Sequence, residues 1–363
     1  APSKEVIITN ADTPNKTALN LELPAVFKAE GVLDKPIDNY YLYFSYTDEA
    51  GGTKSIALAT APAPEGPWTV YQNGTPVMTK ESLGVSGTVN APWPIWDKEN
   101  GRMLMYYSMG TGTIGVAEST DGVTFTNPKT VFEAKNAPAG NQAYQQSVYE
   151  YTIPGKNNKY LMLYTGNGFK ETDVTTNGKQ IFCAWSVDGL TWTSDDKVLV
   201  YPDSGDKGNI ASPRLLVKDG EPYVVYHNSN GNIGWSKLSA DFSTFTRAGR
   251  YYNSIDNGEP DRGRAADAAF LEEGGVLYMY YTARSNKAKN AADASVLVCR
   301  SMGDAQGVLF RDDFNDGSAD GWEPVSGEWS VVDGAYVQSK LDMNGYQTFA
   351  GDMSWTDYEL EVK

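Results

Sequence analysis

Five short runs of aromatic and β-branched residues recur along the chain at nearly regular intervals. Each run ends in a small or polar residue, which is the pattern of a strand that is mostly buried. The runs cover residues 40–45, 103–108, 160–165, 222–227 and 277–282. Their last residues are about 55 to 63 positions apart. A repeat of this length with several strands in each unit predicts a β-propeller, in which each repeat forms one blade.

Each repeat holds four strand-like runs, so the sequence predicts an all-β fold with five four-stranded blades. First strands are predicted at 23–28, 91–96, 146–151, 212–217 and 267–271, third strands at 55–59, 113–117, 180–185, 232–236 and 295–299, and fourth strands at 66–70, 123–126, 190–193 and 245–246. The turns at 119–122 and 186–189 agree with this division. Both contain Asp-Gly, the strongest short hairpin signal, between a third and a fourth strand.

The two ends of the chain are predicted to differ in role. Residues 1–20 are polar apart from 6–8, and we predict one strand there that closes the ring, together with a short closing segment near 308–310. The composition shifts at Phe310, after which the chain is acidic and turn-rich with a hairpin at 327–337. We therefore predict a propeller over 1–308 and the start of a β-sandwich over 309–363, too short to bury a core of its own.

Composition narrows the classes of partner. The 363 residues are 40% hydrophobic and 21% charged, and 12% are aromatic, which suits both a β core and a sugar-binding surface. A net charge of -16 would repel nucleic acid and anionic membranes, so we predict that neither is a partner. An acidic polysaccharide is disfavoured for the same reason unless a local basic patch exists.

Cysteine use and the amino terminus point to a secreted bacterial protein. Cys183 and Cys299 lie in strand-like runs, and two buried free thiols are a better prediction than a disulfide. Neither a CxxC motif nor zinc spacing is present. No stretch approaches the ~18 consecutive apolar residues that span a membrane. The opening Ala1-Pro2-Ser3 is typical of a mature chain after signal removal.

A single histidine excludes much chemistry. His227 occupies the position that Ser45, Ser108, Thr165 and Thr282 hold in the other repeats, which favours a structural or rim role about as strongly as a ligand role. The sequence has no nucleophile elbow, phosphate loop or dinucleotide fingerprint. Carboxylate chemistry and aromatic stacking on sugars remain.

In a five-bladed propeller the ligand site is the axial funnel where the innermost strands begin. Amides and arginines there would bind sugar hydroxyls, and paired carboxylates would do acid–base work. We predict that the substrate-binding residues are Asn90, Trp93, Tyr144, Gln145, Gln146, Arg214 and Arg264. The carboxylates at these starts are Glu22 and Asp267, with Asp261 and Glu259 just before the fifth.

The five repeats, the Ala91-Pro92 start of the second inner strand and the Ser-x-Asp-Gly hairpins resemble the five-bladed propeller glycosidases, especially glycoside hydrolase family 43 and its relatives. The resemblance implies inversion by a base in blade one, a pKa-tuning Asp in blade three and a general acid Glu in blade four, and a calcium ion near the axis. These positions here are Leu23-Pro24, Gln145-Gln146 and Ala211-Ser212, and only Asp267 offers an acid in phase. The tail, through residues 312–317 and 327–331, resembles laminin-G-like or family 66 carbohydrate-binding modules.

These observations predict a secreted, monomeric glycoside hydrolase that acts on a polysaccharide or its oligosaccharides. By family analogy it would be an exo-acting arabinofuranosidase-type enzyme. Glu22 and Asp267 would flank the scissile bond, with Asp261 or Glu259 able to replace either. No cofactor other than a structural calcium is expected. One alternative is a non-catalytic carbohydrate-binding propeller. The other is a polysaccharide lyase with Tyr144 as base beside Arg214 or Arg264.

Overall fold

The computed structural model describes residues 4–13, 20–47, 52–136, 142–167, 178–195, 197–254, 258–285 and 295–304, and in the C-terminal part 314, 317–319, 321–341 and 345–350. Contacts divide the chain into units 1–303 and 304–363, which are described separately. The predicted boundary between 308 and 309 lies outside the described residues.

The N-terminal unit is an all-β, five-bladed propeller, as predicted. Its described strands form five antiparallel four-stranded sheets. The strands are β1 Lys4–Ile8, β2 Glu22–Lys28, β3 Tyr40–Thr47, β4 Lys54–Ala61, β5 Thr69–Val70, β6 Val89–Asp97, β7 Arg102–Met109, β8 Thr113–Ser119, β9 Thr126–Glu133, β10 Tyr144–Glu150, β11 Tyr160–Asn167, β12 Lys179–Ser186, β13 Thr193–Ser194, β14 Ile210–Lys218, β15 Glu221–Asn228, β16 Ile233–Leu238, β17 Phe245–Tyr252, β18 Arg264–Glu273, β19 Val276–Arg284 and β20 Val296–Asp304. Helix is confined to α1 (Lys80–Leu83) and to short 3-10 turns in the part of the chain that is described.

Blades one to four are β2–β5, β6–β9, β10–β13 and β14–β17 in sequence order. Blade five is completed by the amino terminus, because β1 pairs with β20 outside β19 and β18. The predicted strand at 6–8 that closes the ring is thus confirmed. The other predicted closing segment, near 308–310, lies outside the described residues.

The hydrophobic core lies between the blades. Five clusters of buried side chains are found in the described residues, one at each junction of neighbouring blades. The recurring runs supply the second strands β3, β7, β11, β15 and β19, whose aromatic residues fill these clusters. Tyr43, Tyr106, Tyr164 and Tyr280, for example, have less than 1% of their surface exposed. The run that recurs five times in the sequence is therefore a strand buried on both faces.

Every innermost strand contains a bulge at the same position. The register shifts once near the start of each strand, and one residue there has a left-handed backbone. These residues are Leu23 (φ 56), Ala91 (φ 53), Gln145 (φ 51), Ser212 (φ 51) and Asp267 (φ 58). None is glycine, so each blade holds a conformation that costs about 1–2 kcal/mol relative to an ordinary one.

The backbone N–H of four of these residues is bound by the preceding blade. A hydroxyl at the end of the neighbouring second strand accepts it. The pairs are Ala91 N to Ser45 Oγ (2.8 Å), Gln145 N to Ser108 Oγ (2.9 Å), Ser212 N to Thr165 Oγ1 (3.0 Å) and Leu23 N to Thr282 Oγ1 (3.3 Å). At the fifth junction His227 stands at the hydroxyl position, opposite Asp267. We call these contacts the blade clamps.

A second repeated contact uses the Asp-Gly turns. In the turn after β12, Asp188 Oδ1 accepts from the N–H groups of Leu190 and Thr191, and Ser186 Oγ accepts from Gly189 N. The hydroxyl of Tyr106, from the preceding blade, donates to Gly189 O at 2.8 Å. The turn after β8 repeats this arrangement with Tyr43 and Gly122. The predicted hairpins are confirmed, and they also join neighbouring blades.

The C-terminal unit contains two small antiparallel pairs in its described part. They are β21 (Trp322–Pro324) with β24 (Thr348–Ala350), and β22 (Trp329–Val332) with β23 (Ala335–Gln338). The second pair is the hairpin predicted at 327–337. Its turn, Asp333-Gly334, has positive φ at both residues, as a tight hairpin requires.

Both cysteines are free and buried, as predicted. Burial raises the pKa of each thiol to about 12, so neither carries a reactive thiolate near neutral pH. None of the helices among the described residues is long and apolar enough to cross a bilayer.

Loss of a blade clamp should destabilise the propeller. In Thr165→Val the side-chain volume is nearly kept, but the buried N–H of Ser212 loses its acceptor. We expect the free energy of unfolding to fall by about 1–3 kcal/mol in urea denaturation. Thr130→Val, at an exposed position of β9, is the control and should change it by less than about 0.5 kcal/mol. Equal effects at the two sites would contradict a clamp role.

Gly189 in the turn should not tolerate substitution by alanine, and its positive φ is only part of the reason. Gly189 (φ +74) and Gly220 (φ +75) share a left-handed backbone, but an added Cβ would lie 2.7 Å from the Tyr106 hydroxyl at Gly189 and in open space at Gly220. Gly220→Ala should cost about 1–2 kcal/mol of unfolding free energy and Gly189→Ala about 1–3 kcal/mol more. Equal losses by chemical denaturation would show that the tyrosine contact contributes nothing.

Candidate functional site at the axial mouth

The five inner-strand starts lie at one end of the propeller. Each start pairs with the last residue of the recurring run on the second strand of the same blade. The pairs are Glu22 with Ser45, Asn90 with Ser108, Tyr144 with Thr165, Ala211 with His227 and Ala266 with Thr282. Alignment of the repeats therefore identified the inner-strand starts correctly.

A cavity of about 290 Å³ opens at this end beside blades three, four and five. It is more polar than apolar, and its wall combines cationic, amide and hydroxyl groups with one imidazole. Its lining residues are Lys179, Asn209, Ala211, His227, Asn228, Ser229, Gly231 and Arg264. Of the predicted site residues, Arg264 lines this cavity.

A chain of polar contacts leads from the cavity wall into the fifth junction. An Arg264 guanidinium nitrogen lies 3.3 Å from His227 Nε2. His227 Nδ1 lies 3.1 Å from Asp267 Oδ1, to which Ser212 Oγ also donates at 2.7 Å. Because a guanidinium can only donate, Nε2 accepts and the imidazole proton belongs on Nδ1, facing the carboxylate.

The pKa values of Asp267 and His227 follow from the surroundings of these two side chains. Burial would raise the pKa of Asp267, but His227, Arg264 and Ser212 outweigh that effect and hold it well below the usual value. Burial lowers the pKa of His227, and the charges of Arg264 and Lys179 lower it further against the opposing effect of Asp267. Near neutral pH the site thus holds an ionised carboxylate and an uncharged imidazole.

Two of the predicted substrate-binding residues fill the axial channel. Trp93 packs against the clusters of blades one and five and of blades two and three, so it lies across the axis. The Arg214 guanidinium stacks 4.6 Å from the Trp93 ring and donates to the carbonyl oxygen of Pro213. Only 1% of Arg214 is exposed, and burial lowers its pKa. Arg214 is therefore a channel residue that does not line the cavity.

The blade-three residues are mostly committed to structure. Gln146 is fully buried, its amide nitrogen donating to Ala91 O and its oxygen accepting from Ser108 Oγ. Its neighbour Gln145 is half-buried and accepts from Thr165 Oγ1. The placement of Gln146 argues against the predicted sugar contact, because its amide has both partners inside the fold.

Tyr144 and Asn90 are the remaining predicted binding residues. Tyr144 is 6% exposed, and burial raises its pKa to about 12. The Lys179 ammonium lies 5.6 Å from the centroid of the Tyr144 ring. Asn90 is half-buried, and its side-chain oxygen finds no hydrogen-bond partner among the described residues.

Three of the four predicted carboxylates lie in different surroundings, and the fourth, Glu259, is exposed. Glu22, at the mouth in blade one, forms an ion pair with Lys54 on β4. Asp267 lies beneath His227 and is 3% exposed. Asp261 is fully buried away from the cavity lining, where it accepts from the hydroxyls of Tyr252 and Tyr281.

Asp261 also lies 3.6 Å from Lys4 on the closing strand. Its place between blades four and five, with two tyrosines and a lysine, is that of a structural carboxylate at the ring closure. The predicted catalytic role of Asp261 therefore finds no geometric basis in the cavity.

Among the residues that shape the cavity, Lys179 was not predicted. Lys179 begins a third strand and pairs with Asn167, the last residue of β11, so third strands also start at the mouth. Asn209, just before β14, accepts from the Lys179 backbone N–H at 2.9 Å. The same repeat alignment would have found Lys179 if third strands had been examined with the first strands.

The residues at the mouth do not fit the calcium ion that the family resemblance implies. Oδ1 of Asp267 already contacts Ser212 and His227, and a guanidinium stands on the other side of the imidazole. Oxygen-rich shells suit calcium, whereas a guanidinium repels it. No group of three or more metal-ligating side chains occurs in the part of the chain that the structure describes.

Comparison with known proteins gives short or distant sequence matches. No family model matches the chain. The chain is 46% identical over 57 residues to an extracellular exo-alpha-L-arabinofuranosidase of Streptomyces chartreusis, which is 15% of this chain and 7% of that protein. It is 26% identical over 185 residues to an uncharacterized protein of Mycobacterium tuberculosis, which is 48% of this chain and 56% of that protein. The chain thus spans about half or much less of the curated relatives that it matches.

Solved structures match over about four fifths of the chain. An alpha-L-arabinofuranosidase of Podospora anserina in complex with cellotriose has a TM-score of 0.59 at 11% identity, covering 84% of this chain and 96% of that one. A thermostable family-43 glycoside hydrolase has a TM-score of 0.57 at 14% identity, covering 79% of this chain and 94% of that one. A GH62 hydrolase in complex with xylotriose has a TM-score of 0.55 at 11% identity, covering 82% of this chain and 94% of that one. What they share is the fold. At these identities the resemblance noted in the sequence is supported at the level of the five-bladed propeller.

The Asp267 carboxylate should stabilise the fold in a pH-dependent manner. Its folded pKa is depressed, so its stabilisation is complete above the unfolded value of about 3.9 and is lost as the pH falls from there through the folded pKa. We expect Asp267→Asn to lower the free energy of unfolding by about 1–3 kcal/mol at pH 7. The difference from wild type should shrink below about pH 4.

The measurement is urea denaturation between pH 3 and pH 8. Asp34→Asn, at an exposed loop position, is the control and should differ little from wild type at any pH. A penalty for Asp267→Asn that stayed constant across this range would show that the carboxylate charge is not what stabilises the junction.

Proposed function

We propose that this chain is a glycoside hydrolase that binds a sugar at the axial mouth. The observation that carries the proposal is the cavity lined by Arg264, Lys179, Asn209 and His227, with the ionised Asp267 directly behind the imidazole. Amide, hydroxyl and cationic donors around a concave site are suited to sugar hydroxyls. The solved structures of like fold described as hydrolases with cellotriose or xylotriose support the proposal.

Glycosidases use two carboxyl groups in different protonation states. Asp267 suits the ionised role as a charge behind the imidazole that stabilises an oxocarbenium-like transition state, because its pKa is held low. A general acid needs a pKa near the working pH, so Asp267 is unsuited to donate the proton. Glu22, at the mouth of the adjoining blade, is the second carboxyl in this proposal.

The finer assignments rest on the match to an extracellular arabinofuranosidase. We propose an exo-acting enzyme on arabinofuranosyl side chains, secreted from a bacterium and monomeric. The C-terminal unit, with its hairpin and the aromatic contacts of Trp322, Trp329 and Tyr336, would belong to a carbohydrate-binding module.

A non-catalytic carbohydrate-binding propeller is the second candidate. It is favoured by the absence of acids at the inner-strand starts of blades three and four, where the bulge residues are Gln145 and Ser212. The lyase alternative is less well supported. Tyr144 is buried with its pKa raised to about 12, which is far from that of a base working near neutral pH, and Arg214 is sealed in the channel.

Substitution of the two carboxyl groups tests the hydrolase proposal. Asp267→Asn and Glu22→Gln should each lower kcat about 100-fold or more on a responsive aryl glycoside, because each removes a group that acts in the transition state. Asp34→Asn is the control. Asp261→Asn should leave kcat near wild type while it lowers the unfolding midpoint. The panel of substrates should include 4-nitrophenyl α-L-arabinofuranoside and arabinan oligosaccharides.

Full activity in both carboxyl variants would overturn the assignment of these residues. If wild-type protein binds an oligosaccharide but releases no reducing ends over days, the binding propeller is correct. An unsaturated product absorbing in the ultraviolet would identify a lyase instead.

A further inference from the structure

The hydroxyl of Ser212 joins the inner strands of blades four and five. Ser212 lies in β14 and Asp267 in β18, and each is the left-handed bulge residue of its strand. The hydroxyl donates to Asp267 Oδ1 at 2.7 Å. Ser212 is 1% exposed and does not line the cavity, so it cannot touch a ligand there. An effect of its hydroxyl on the chemistry of the site would therefore pass through Asp267.

Oδ1 of Asp267 is shared between this hydroxyl and an imidazole. His227 Nδ1 lies 3.1 Å from the same oxygen atom. Burial opposes ionisation of Asp267, and His227, Arg264 and the Ser212 hydrogen bond lower its pKa in spite of that. Because the hydroxyl donates into Oδ1, it stabilises the carboxylate and weakens the pull of this charge on the ring. Ser212 thereby favours an uncharged imidazole.

The other ring nitrogen of His227 is the one that faces the cavity. Nε2 lies 3.3 Å from an Arg264 guanidinium nitrogen, and this contact needs an unprotonated Nε2 because a guanidinium can only donate. Among the described residues, the charges that act on the ring are Asp267 and Arg264 from β18 and Lys179 from β12. The residues that β14 and β16 pair with His227 are uncharged. Protonation of the ring would thus remove the acceptor and place a like charge beside Arg264.

We propose that Ser212 is a positioning residue for this site, which holds the Asp267 carboxylate so that His227 keeps an unprotonated Nε2 toward the cavity. This inference rests on the proposed function, since it concerns the carboxylate assigned to the transition state there. The repeat supports it. Leu23 and Ala91 form the same bulge without a polar side-chain atom, so the bulge itself does not require a hydroxyl. The contact with Asp267 is what a serine adds.

The chain contains a single histidine, so NMR spectroscopy can observe His227 directly. Whole protein labelled with [15N]histidine and purified without a histidine tag would give one pair of imidazole nitrogen signals. In the wild type at pH 7 we expect a protonated Nδ1 and an unprotonated Nε2. In Ser212→Ala the carboxylate acts on the ring without the competing hydroxyl, so the pKa of His227 should rise. Ser212→Gly should give the same rise and, because glycine accepts a left-handed backbone, without the conformational cost of the bulge.

The kinetic test separates positioning from binding. On a responsive aryl glycoside, Ser212→Ala should lower kcat about tenfold with little change in KM, because a hydrogen bond to a charged group is lost while the cavity wall is intact. The acidic limb of kcat should move to higher pH. The sign follows from the ring, since the uncharged imidazole is present only above the pKa of His227 and that pKa is raised in the variant.

Ser119→Ala is the matched control. Ser119 is also a buried serine that donates to a carboxylate, Asp121 Oδ1, at 2.9 Å. It pairs with Met103, at the end of blade two opposite to the mouth. Its loss should destabilise the fold but leave the His227 signals and the acidic limb of kcat as in the wild type.

An Nε2-protonated neutral ring in the wild type would overturn the inference by itself. It would also be overturned by an unchanged His227 titration in both Ser212 variants, or by an equal change in Ser119→Ala, which would indicate general loosening of the fold. An active enzyme whose kcat and acidic limb were unaffected by Ser212→Ala would overturn it as well. The result is separable from the proposed function, because a wild type that cleaves no glycoside but shows the expected His227 shift would refute the hydrolase alone.

Discussion

The propeller depends on a backbone N–H that its own sheet cannot satisfy. In each blade the innermost strand bulges at a non-glycine residue with left-handed φ, and in four blades that residue's N–H is bound by a hydroxyl from the preceding blade. A buried N–H without an acceptor would cost about 1–3 kcal/mol, so the clamps fix how neighbouring blades meet. The same bulges shape the axial mouth, because they occur where the inner strands begin.

The sequence predicted the parts of this fold that are buried on both faces. The second strands were found almost to the residue because continuous aromatic and aliphatic runs have few other uses in a polar chain. The outermost strands were placed less well. β9, predicted at 123–126, spans Thr126–Glu133 and is mostly exposed, so its hydrophobic pattern carries little information. The left-handed bulges had no signature, since Leu23, Ala91 and Gln145 are not residues that favour positive φ.

At the candidate site, alignment of the repeats identified where the inner strands begin, but it could not predict side-chain direction. Successive residues of a strand point to opposite faces, and each bulge adds a further irregularity. Gln145 and Gln146 were both predicted to bind substrate, yet Gln146 is fully buried and Gln145 is half-buried. Arg214 and Arg264 looked equivalent as arginines near inner-strand starts, but one is sealed in the channel and the other lines the cavity. Lys179 was missed because third-strand starts were not compared.

The candidate site lies where the repeat is broken. At four junctions a serine or threonine hydroxyl only holds the next blade, whereas at the fifth the equivalent residue is His227 and the bulge residue is Asp267. The contact there joins two side chains. Nδ1 of the imidazole faces the carboxylate, and Nε2 faces Arg264 and the cavity. Departures from a local rule often mark function. A structural clamp has thereby become a series of polar contacts that connects the interior of the fold to the cavity, and this is the one junction in the described ring where titratable side chains replace a hydroxyl.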